Sequence, residues 1–191
     1  LTQYATLGDE KSLSSENHIL FVLASASIND VPYAAMLTRK LQRTEAKLDD
    51  LAKTPVQLEL PNGGVASYVW LKPEWTMFQK HTALRKALKP LLDEEPASLA
   101  LCVYGDETTR EAHACAAYYV ATVNAVTLPN HKKDQKIKVL TALSIHGFQA
   151  PHAYEYVNAR VAGNTLCRRL TVLPPNALTP AMYRQQLQAL A

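Results

Sequence analysis

The 191-residue sequence predicts an α/β domain in which helices flank a mixed β-sheet. Three short apolar runs bounded by polar residues, at 18–25, 97–105 and 137–145, are typical of buried strands. Stretches with helical periodicity separate these runs, and one segment alternates apolar and polar residues as a hairpin does. Strands that alternate with helices predict a layered α/β architecture, and the antiparallel hairpin makes the predicted sheet mixed.

Four stretches carry apolar residues at helical spacing and are predicted to be helices. They are residues 32–52, which form one helix or two in series, about 77–91, about 106–126 and about 152–170. Asp30 is the expected N-cap of the first helix, with Pro32 in its first turn. Thr108 and Glu111 have the spacing of a capping box at the start of the third helix.

The predicted hairpin lies at residues 55–72. Val56, Leu58 and Leu60 alternate with polar residues, so we expect them to share the buried face of one strand. The pair Asn62-Gly63 is the strongest short-range hairpin signal, because both central residues of a type I′ turn need a positive φ. The sequence therefore predicts two antiparallel strands joined by a type I′ turn.

The composition excludes several classes of protein. A hydrophobic share of 48% and a charged share of 19% are globular values, and no apolar run reaches the ~18 residues needed to span a membrane. The N-terminal residues lack the basic and then apolar pattern of a signal peptide. Cys102, Cys115 and Cys167 lie far apart, which argues for a reducing compartment rather than a disulfide framework. We therefore expect a cytoplasmic protein with no membrane partner, and its net charge of +3 neither requires nor excludes an acidic one.

A metal site is not expected within this sequence. No HExxH, CxxC or zinc-finger spacing occurs in it. Glu111, His113 and Cys115 are two residues apart on a predicted helix, so successive members do not share a face. His146 and His152 follow a predicted strand, but no carboxylate supports them locally, and we expect both to be solvated. The sequence therefore predicts no metal-binding residue.

Catalytic and cofactor-binding residues are also expected to be absent. No GxSxG motif occurs, and the cysteines lie inside predicted elements. The six glycines cannot build a phosphate-binding loop, since Gly63 and Gly64 belong to the hairpin. Asp106 and Glu107 follow a buried strand, at the position where open α/β sheets bind ligands. Acids that stabilise a helix N-terminus are the favoured interpretation of this pair.

Two binding functions stay open as alternatives. Residues 123–130, VNAVTLPN, are similar to the Asn-Ala-Ala-Asn loop of macro domains but lack the glycine run that should follow, so a macro-like module for ADP-ribose or a nucleotide is one alternative. The basic segment 131–138 and the cationic helix face from Lys80 to Lys89 could neutralise phosphates, so a DNA-binding accessory domain is the other. Aromatic residues are not interleaved with these charges, as a base-stacking surface would require.

The end of the sequence carries its most specific motif, GNTLCRRLTVLPPNALTP at 163–180. It resembles the segment that opens the catalytic domain of the leucyl (cytosol) aminopeptidase family, whose usual pattern is Ala-Arg-Asp-Leu-Val-Asn, a variable residue and Pro-Pro-Asn-x-Leu-Thr-Pro. The matching positions are Arg168, Leu170, Pro174, Pro175, Asn176, Leu178, Thr179 and Pro180. Arg169 stands where an acidic residue is common, and Val172 stands where the family usually has Asn.

The resemblance implies a macro-domain-like N-terminal α/β domain that a long helix joins to a C-terminal peptidase domain. It also implies a hexamer that removes N-terminal residues from peptides, with two divalent metals, Zn or Mn, in each active site. These metals would activate a bridging water and polarise the scissile carbonyl. The family's metal-binding Lys, Asp and Glu residues lie downstream of the Pro-Pro-Asn segment, in segments that this sequence does not contain.

A division of the chain follows from the resemblance. Residues 1–150 are expected to form the macro-like domain, 151–170 the linker helix and 171–191 the start of a truncated peptidase domain. The expected partner of the chain is then its own peptidase domain. The chain would serve assembly or regulation, and by itself it would be inactive.

Overall fold

The computed structural model describes residues 1–24, 28–129 and 139–189. Its strands are β1 (Thr2–Tyr4), β2 (His18–Leu23), β3 (Val56–Glu59), β4 (Val65–Trp70), β5 (Ser98–Val103) and β6 (Ala142–His146). Its helices are α1 (Ala34–Arg43), α2 (Met77–Asp93), α3 (Glu107–Ala125), α4 (Pro151–Val172) and α5 (Pro180–Gln188), with a 3₁₀ helix at Leu48–Ala52.

The six described strands belong to one sheet, in the order β1-β6-β5-β2-β4-β3. Every neighbouring pair is parallel except β3 and β4, which form the predicted antiparallel hairpin at one edge. The prediction of an α/β fold with a mixed sheet flanked by helices is therefore confirmed. The basic segment predicted at 131–138 lies outside the described residues.

The sheet has a packed layer on each face. Leu20 and Val22 of β2 point into a core shared with α2, α3 and α4. Ile19, Phe21 and Leu23 point the opposite way, into a core shared with α1 and the 3₁₀ helix. Because both faces of β2 are covered, all of its residues after His18 are buried, which explains why this strand appears in the sequence as a continuous apolar run.

The structure corrects the predicted strands in two places. The apolar runs at 18–25 and 97–105 correspond to β2 and β5, but the strand predicted at 137–145 begins only at Ala142. Residues 137 and 138 lie outside the described ranges. The edge strand β1 was not predicted, because three residues, two of them exposed, show no periodicity that distinguishes them from a loop.

The predicted start of the first helix is wrong. The N-cap of α1 is Tyr33, which has a left-handed conformation (φ 59°) and makes no side-chain capping bond. Its backbone N–H donates to Glu10 Oε1 at 2.8 Å, so a carboxylate from a distant loop, and not Asp30, contacts this end of the helix. The segment 32–52 is two elements in series, α1 and the 3₁₀ helix, one of the two arrangements expected.

The capping box predicted for α3 is also wrong. Asp106 is the N-cap, and its carboxylate accepts hydrogen bonds from Thr109 N at 2.9 Å and Thr109 Oγ1 at 2.8 Å. The helix therefore begins two residues earlier than the pair Thr108 and Glu111 predicts. These hydrogen bonds lower the pKa of Asp106, as expected for a carboxylate that stabilises a helix N-terminus.

The hairpin turn differs from the predicted type I′. Of the pair Asn62-Gly63, only Gly63 has a positive φ (81°). Gly63 N donates to Leu60 O at 2.9 Å and Leu60 N donates to Gly64 O at 2.7 Å, which is a three-residue loop with a glycine bulge. The Asn62 side chain donates to the carbonyls of Ser14 and Glu16, a long-range contact that the local sequence signal could not show.

Candidate functional site

Helix α4 packs along α3 with its first three turns. Tyr154 is 1% exposed, Val157 is 4% exposed and Val161 is 8% exposed, and all three belong to the core formed with α3. The hydroxyl of Tyr118 on α3 donates to Asn158 Oδ1 at 2.7 Å. The helix predicted at about 152–170 is therefore confirmed, and its N-terminal half is part of the domain core.

A second set of contacts lies farther along the same two helices. Asn164 Nδ2 donates to the hydroxyl of Tyr119 at 3.1 Å, and the Arg160 guanidinium lies 4.9 Å from the centre of the Tyr119 ring. His81 of α2 stacks on Tyr119 with ring centres 5.1 Å apart. Burial, and then the positive charge of Arg160, lower the pKa of His81, so a neutral imidazole packs here near pH 7.

Arg168, the first matched residue of the aminopeptidase-like motif, fixes α4 to the end of α3. Its guanidinium donates to the backbone carbonyl of Val123, in the last turn of α3. A cation at this place satisfies a carbonyl that has no partner within its own helix and interacts favourably with the helix dipole. The motif arginine thus has a structural role in this chain.

The proline segment ends α4 and starts α5. Helix α4 has its C-cap at Leu173, and the carbonyl of Pro174 accepts hydrogen bonds from Ala177 N at 2.9 Å and Leu178 N at 3.0 Å. Thr179 is the N-cap of α5, and its hydroxyl accepts a hydrogen bond from Met182 N at 3.3 Å. Pro180 has no backbone N–H, and the first position of a helix has no acceptor for one within the helix, so proline is tolerated there.

Beyond Val161 the chain presents apolar side chains to solvent. Val172 is 42% exposed, and on α5 Met182, Tyr183 and Leu187 are 41%, 44% and 46% exposed. Helix α5 buries none of its described residues. We call Val172, Met182, Tyr183 and Leu187 the C-terminal apolar surface, and it is the candidate functional site of the chain.

The helical periodicity at about 152–170 indicates the apolar part of the α3–α4 contact but not its polar part. The polar contacts come from Asn158, Asn164 and Arg168, which continue the buried face of α4 at helical spacing. The sequence signal for these contacts is that the polar residues share the helical spacing of the buried apolar residues Tyr154, Val157 and Val161.

The histidine and cysteine on α3 do not form a metal site. His113 is 1% exposed, whereas Glu111 is exposed and Cys115 is half-buried, so the three do not converge. Within residues 1–24, 28–129 and 139–189, no group of three His, Cys, Asp or Glu side chains could hold a metal ion. Burial, and secondarily the charge of Lys80, lower the pKa of His113 to about 4.

The low pKa of His113 makes a testable contribution to acid sensitivity. The unfolded chain takes up this proton near pH 6.5 and the folded chain only near pH 4, so stability falls progressively between these values. Above pH 6.5 both states are neutral and the contribution vanishes. We expect His113→Gln to flatten this part of the profile, measured as urea midpoints from pH 7.5 to 4. Equal slopes for the variant and the parent protein would contradict the assignment.

The other two candidate histidines, His146 and His152, have different environments. His146 is 7% exposed rather than solvated, because it stacks on Tyr4 of β1 with ring centres 4.5 Å apart. His152 is exposed as expected, but it does have a local carboxylate, since its Nδ1 lies 3.5 Å from Glu155 Oε1. One exposed ion pair does not make a ligand site.

The carboxyl ends of the parallel strands are closely packed where Asp106 lies. Gly105 has φ 138°, and a Cβ built on it would lie 2.6 Å from the Cβ of Ala24. Gly147 has φ 100°, and its Cβ would lie 2.4 Å from the carbonyl oxygen of Val103. These glycines permit close chain packing after β5 and β6.

The macro-domain-like stretch at 123–130 begins inside α3. Asn124 lies in the last turn of α3, where its Nδ2 donates to Val120 O at 2.7 Å. Its side-chain donor is therefore used inside the helix. Asn130 lies outside the described residues.

Comparison with known proteins identifies the fold. No protein-family model matches the chain, and no curated protein matches it either. Among solved structures, a mutant of tomato leucine aminopeptidase aligns over 99% of this chain and 42% of its own, with TM-score 0.65 and 15% identity. The bottromycin maturation enzyme BotP in complex with Mn aligns over 93% and 36%, with TM-score 0.65 and 16% identity. Leucyl aminopeptidase from Trypanosoma brucei aligns over 97% and 41%, with TM-score 0.54 and 15% identity.

The chain therefore shares its fold with part of each of these three proteins and spans about two fifths of their length. Among the described residues, no helix combines the length and the apolar character that a membrane crossing demands.

Proposed function

We propose that this chain is the N-terminal, non-catalytic region of a leucyl aminopeptidase-like metalloexopeptidase that removes N-terminal residues from peptides. Its role in that enzyme is assembly with the peptidase domain or regulation of it. The observation that carries the proposal is the agreement of two independent signals. The chain has the fold of part of leucine aminopeptidases, and the Pro-Pro-Asn motif of that family occupies the junction between α4 and α5.

The chemistry is assigned to the part of the enzyme that this chain does not contain. The solved structures are more than twice as long as the aligned region, and one of them is described as a complex with Mn. The described residues of the chain offer no cluster of metal ligands. Two divalent metals, Zn or Mn, are thus proposed for the peptidase domain, together with a hexameric assembly and a cytoplasmic location.

The proposed domain division places a macro-like domain at 1–150, the linker helix at 151–170 and the start of the peptidase domain at 171–191. The α3–α4 contacts support the linker role, since they fix the direction in which α4 leaves the domain. The C-terminal apolar surface supports an interface with the peptidase domain. Its side chains are 41–46% exposed, and covering them with a partner would remove apolar surface from water, which is favourable.

An aminopeptidase assay tests this division of labour. The 191-residue chain is expected to give no turnover of leucine p-nitroanilide with added Mn²⁺ or Zn²⁺, whereas the full-length enzyme should turn over under the same conditions. Metal-dependent turnover by the chain alone would overturn the division. A full-length protein without a lysine- and aspartate-bearing metal segment after Ala191 would overturn the family assignment.

DNA binding remains a second candidate, because Arg85, Lys86 and Lys89 are exposed on one face of α2. It predicts a mobility shift of duplex DNA that weakens steeply as salt rises. The absence of a mobility shift at low salt would exclude DNA binding.

ADP-ribose binding is the third candidate, and the helical position of Asn124 weighs against it. Titration calorimetry with ADP-ribose, showing no heat, would exclude it.

A further inference from the structure

Strand β3 leaves one edge of the sheet open. It is the last strand in the sheet order, with β4 on one side and no described strand on the other. Leu60 N donates to Gly64 O at 2.7 Å, and the register pairs Leu58 with Ala66. Because hydrogen-bonded and non-hydrogen-bonded pairs alternate in an antiparallel ladder, the even-numbered residues of β3 bond to β4.

Gln57 and Glu59 therefore direct their backbone N–H and C=O groups away from the sheet. The same alternation holds on β4, where Val65 N points the other way and donates to Asn17 O at 2.7 Å, just before β2. An edge with two outward N–H and two outward C=O groups can accept another extended chain.

A groove of about 640 Å³ lies between this edge and α1. Its size is within the usual range of ligand sites. Leu58, Val65 and Met36 contribute apolar surface, and Gln57 and Glu59 contribute the strand edge.

The α1 side of the groove is cationic. Arg39, Lys40 and Arg43 all line it, and none of the three has a carboxylate within 4 Å among the residues that the structure describes. Of the two acids in the groove, Glu94 is already held by His18, at 2.8 Å between Oε2 and Nε2. Glu59 is the remaining acid, so positive charge dominates the wall of α1.

We propose that the β3 edge and this cationic face of α1 bind an extended acidic peptide segment of a partner protein. The segment adds to the sheet as a strand beside β3, and its backbone bonds to the outward groups of Gln57 and Glu59. Its acidic side chains meet Arg39, Lys40 and Arg43 as charge-assisted hydrogen-bond acceptors. Its apolar side chains, which alternate with the acids, point to the opposite face of the sheet, where Val65 lies.

The edge geometry favours a peptide over a nucleic acid. Phosphates could pair with the three cations, but a nucleic acid backbone has no N–H donors to match the outward carbonyls of β3. An extended peptide satisfies both the charges and the strand edge. This inference is independent of the aminopeptidase proposal, because none of its residues lies in the motif or in the C-terminal apolar surface.

Fluorescence anisotropy of a labelled peptide with three Glu-Val repeats, titrated with the 191-residue chain, tests the charge requirement. We expect saturable binding that the double variant Arg39→Glu, Arg43→Glu weakens by about tenfold or more. The matched control is Arg85→Glu with Lys86→Glu, which makes the same change of charge on α2 and should leave binding unchanged. Equal affinity for a peptide of Lys-Val repeats, or no binding up to about 1 mM chain, would overturn the proposal.

The strand requirement is tested on the peptide, so that folding of the chain is not at issue. N-methylation of alternate residues removes the peptide N–H groups that face β3 and should weaken binding by about tenfold or more. Gln57→Pro, which removes an outward N–H at a sheet edge where proline is tolerated, should weaken it as well. Undiminished binding of the N-methylated peptide would overturn strand addition. Dimerisation of the chain that Gln57→Pro abolishes, without peptide binding, would assign the edge to a second copy and also overturn the proposal.

Discussion

Replacing Tyr154 with alanine is expected to lower the free energy of unfolding by about 3–5 kcal/mol. The ring is 1% exposed and meets Tyr118 edge to face at 5.3 Å between centres. Phe148 lies against its other side, with ring centres 6.3 Å apart. Its removal would leave a cavity where α4, α3 and the loop after β6 meet. Urea unfolding followed by circular dichroism measures the change.

The matched control for this prediction is Tyr154→Phe. The Tyr154 hydroxyl is buried, and no described protein group forms a hydrogen bond with it. Burying a hydroxyl without a partner is unfavourable, so its removal should leave stability unchanged or raise it. A loss in Tyr154→Phe as large as in Tyr154→Ala would show that the hydroxyl, rather than ring packing, holds α4 in place.

Replacing Gly147 with alanine is expected to cost about 2–4 kcal/mol. Its φ of 100° is a conformation that residues with a Cβ rarely adopt, and the added carbon would lie 2.4 Å from the backbone oxygen of Val103. A backbone atom cannot move away as the end of a side chain can. Gly147 N also donates to the carbonyls of Tyr4 at 3.0 Å and Thr6 at 2.9 Å, so a shift there would disturb the exit of β1.

Gly163→Ala is the matched control for the glycine prediction. Gly163 lies inside α4, its φ is ordinary, and an added Cβ would meet no atom within 4 Å. This substitution should raise stability by about 0.5–1 kcal/mol, since alanine favours a helix over glycine. If both variants lost stability equally, the close approach to Val103 would not be the cause of the Gly147 effect.

Buried strands and the hairpin were predictable because their signals are local. A parallel strand covered on both faces must be apolar throughout, as β2 and β5 are, and a half-covered strand must alternate, as β3 does. The short edge strand β1 could not be found, because its pairing with β6 depends on residues more than a hundred positions away. The N-cap predictions for α1 and α3 were wrong for different reasons. Glu10 contacts the start of α1 from a distant loop, whereas the N-cap of α3 is Asp106, two residues before Thr108.

The candidate site was predictable only in part. The prolines and Thr179 are local signals for the end of α4 and the start of α5, because proline and N-cap preferences act within one turn. The bond from Arg168 to the Val123 carbonyl depends on two helices lying side by side, which no local pattern encodes. The open edge of β3 likewise emerges only from the strand order, because the hairpin signal alone does not say which strand lies outside.

The position of β1 also has a consequence for synthesis. The ladder of β2, β4 and β5 closes within residues 18–103, so most of the sheet can form while later residues are still being translated. Thr2 pairs with Ser144, so β1 must wait until β6 has left the ribosome. Such distant contacts form late, because closing a long loop costs conformational entropy. A nascent chain that pauses in this interval would carry β1 without its partner strand.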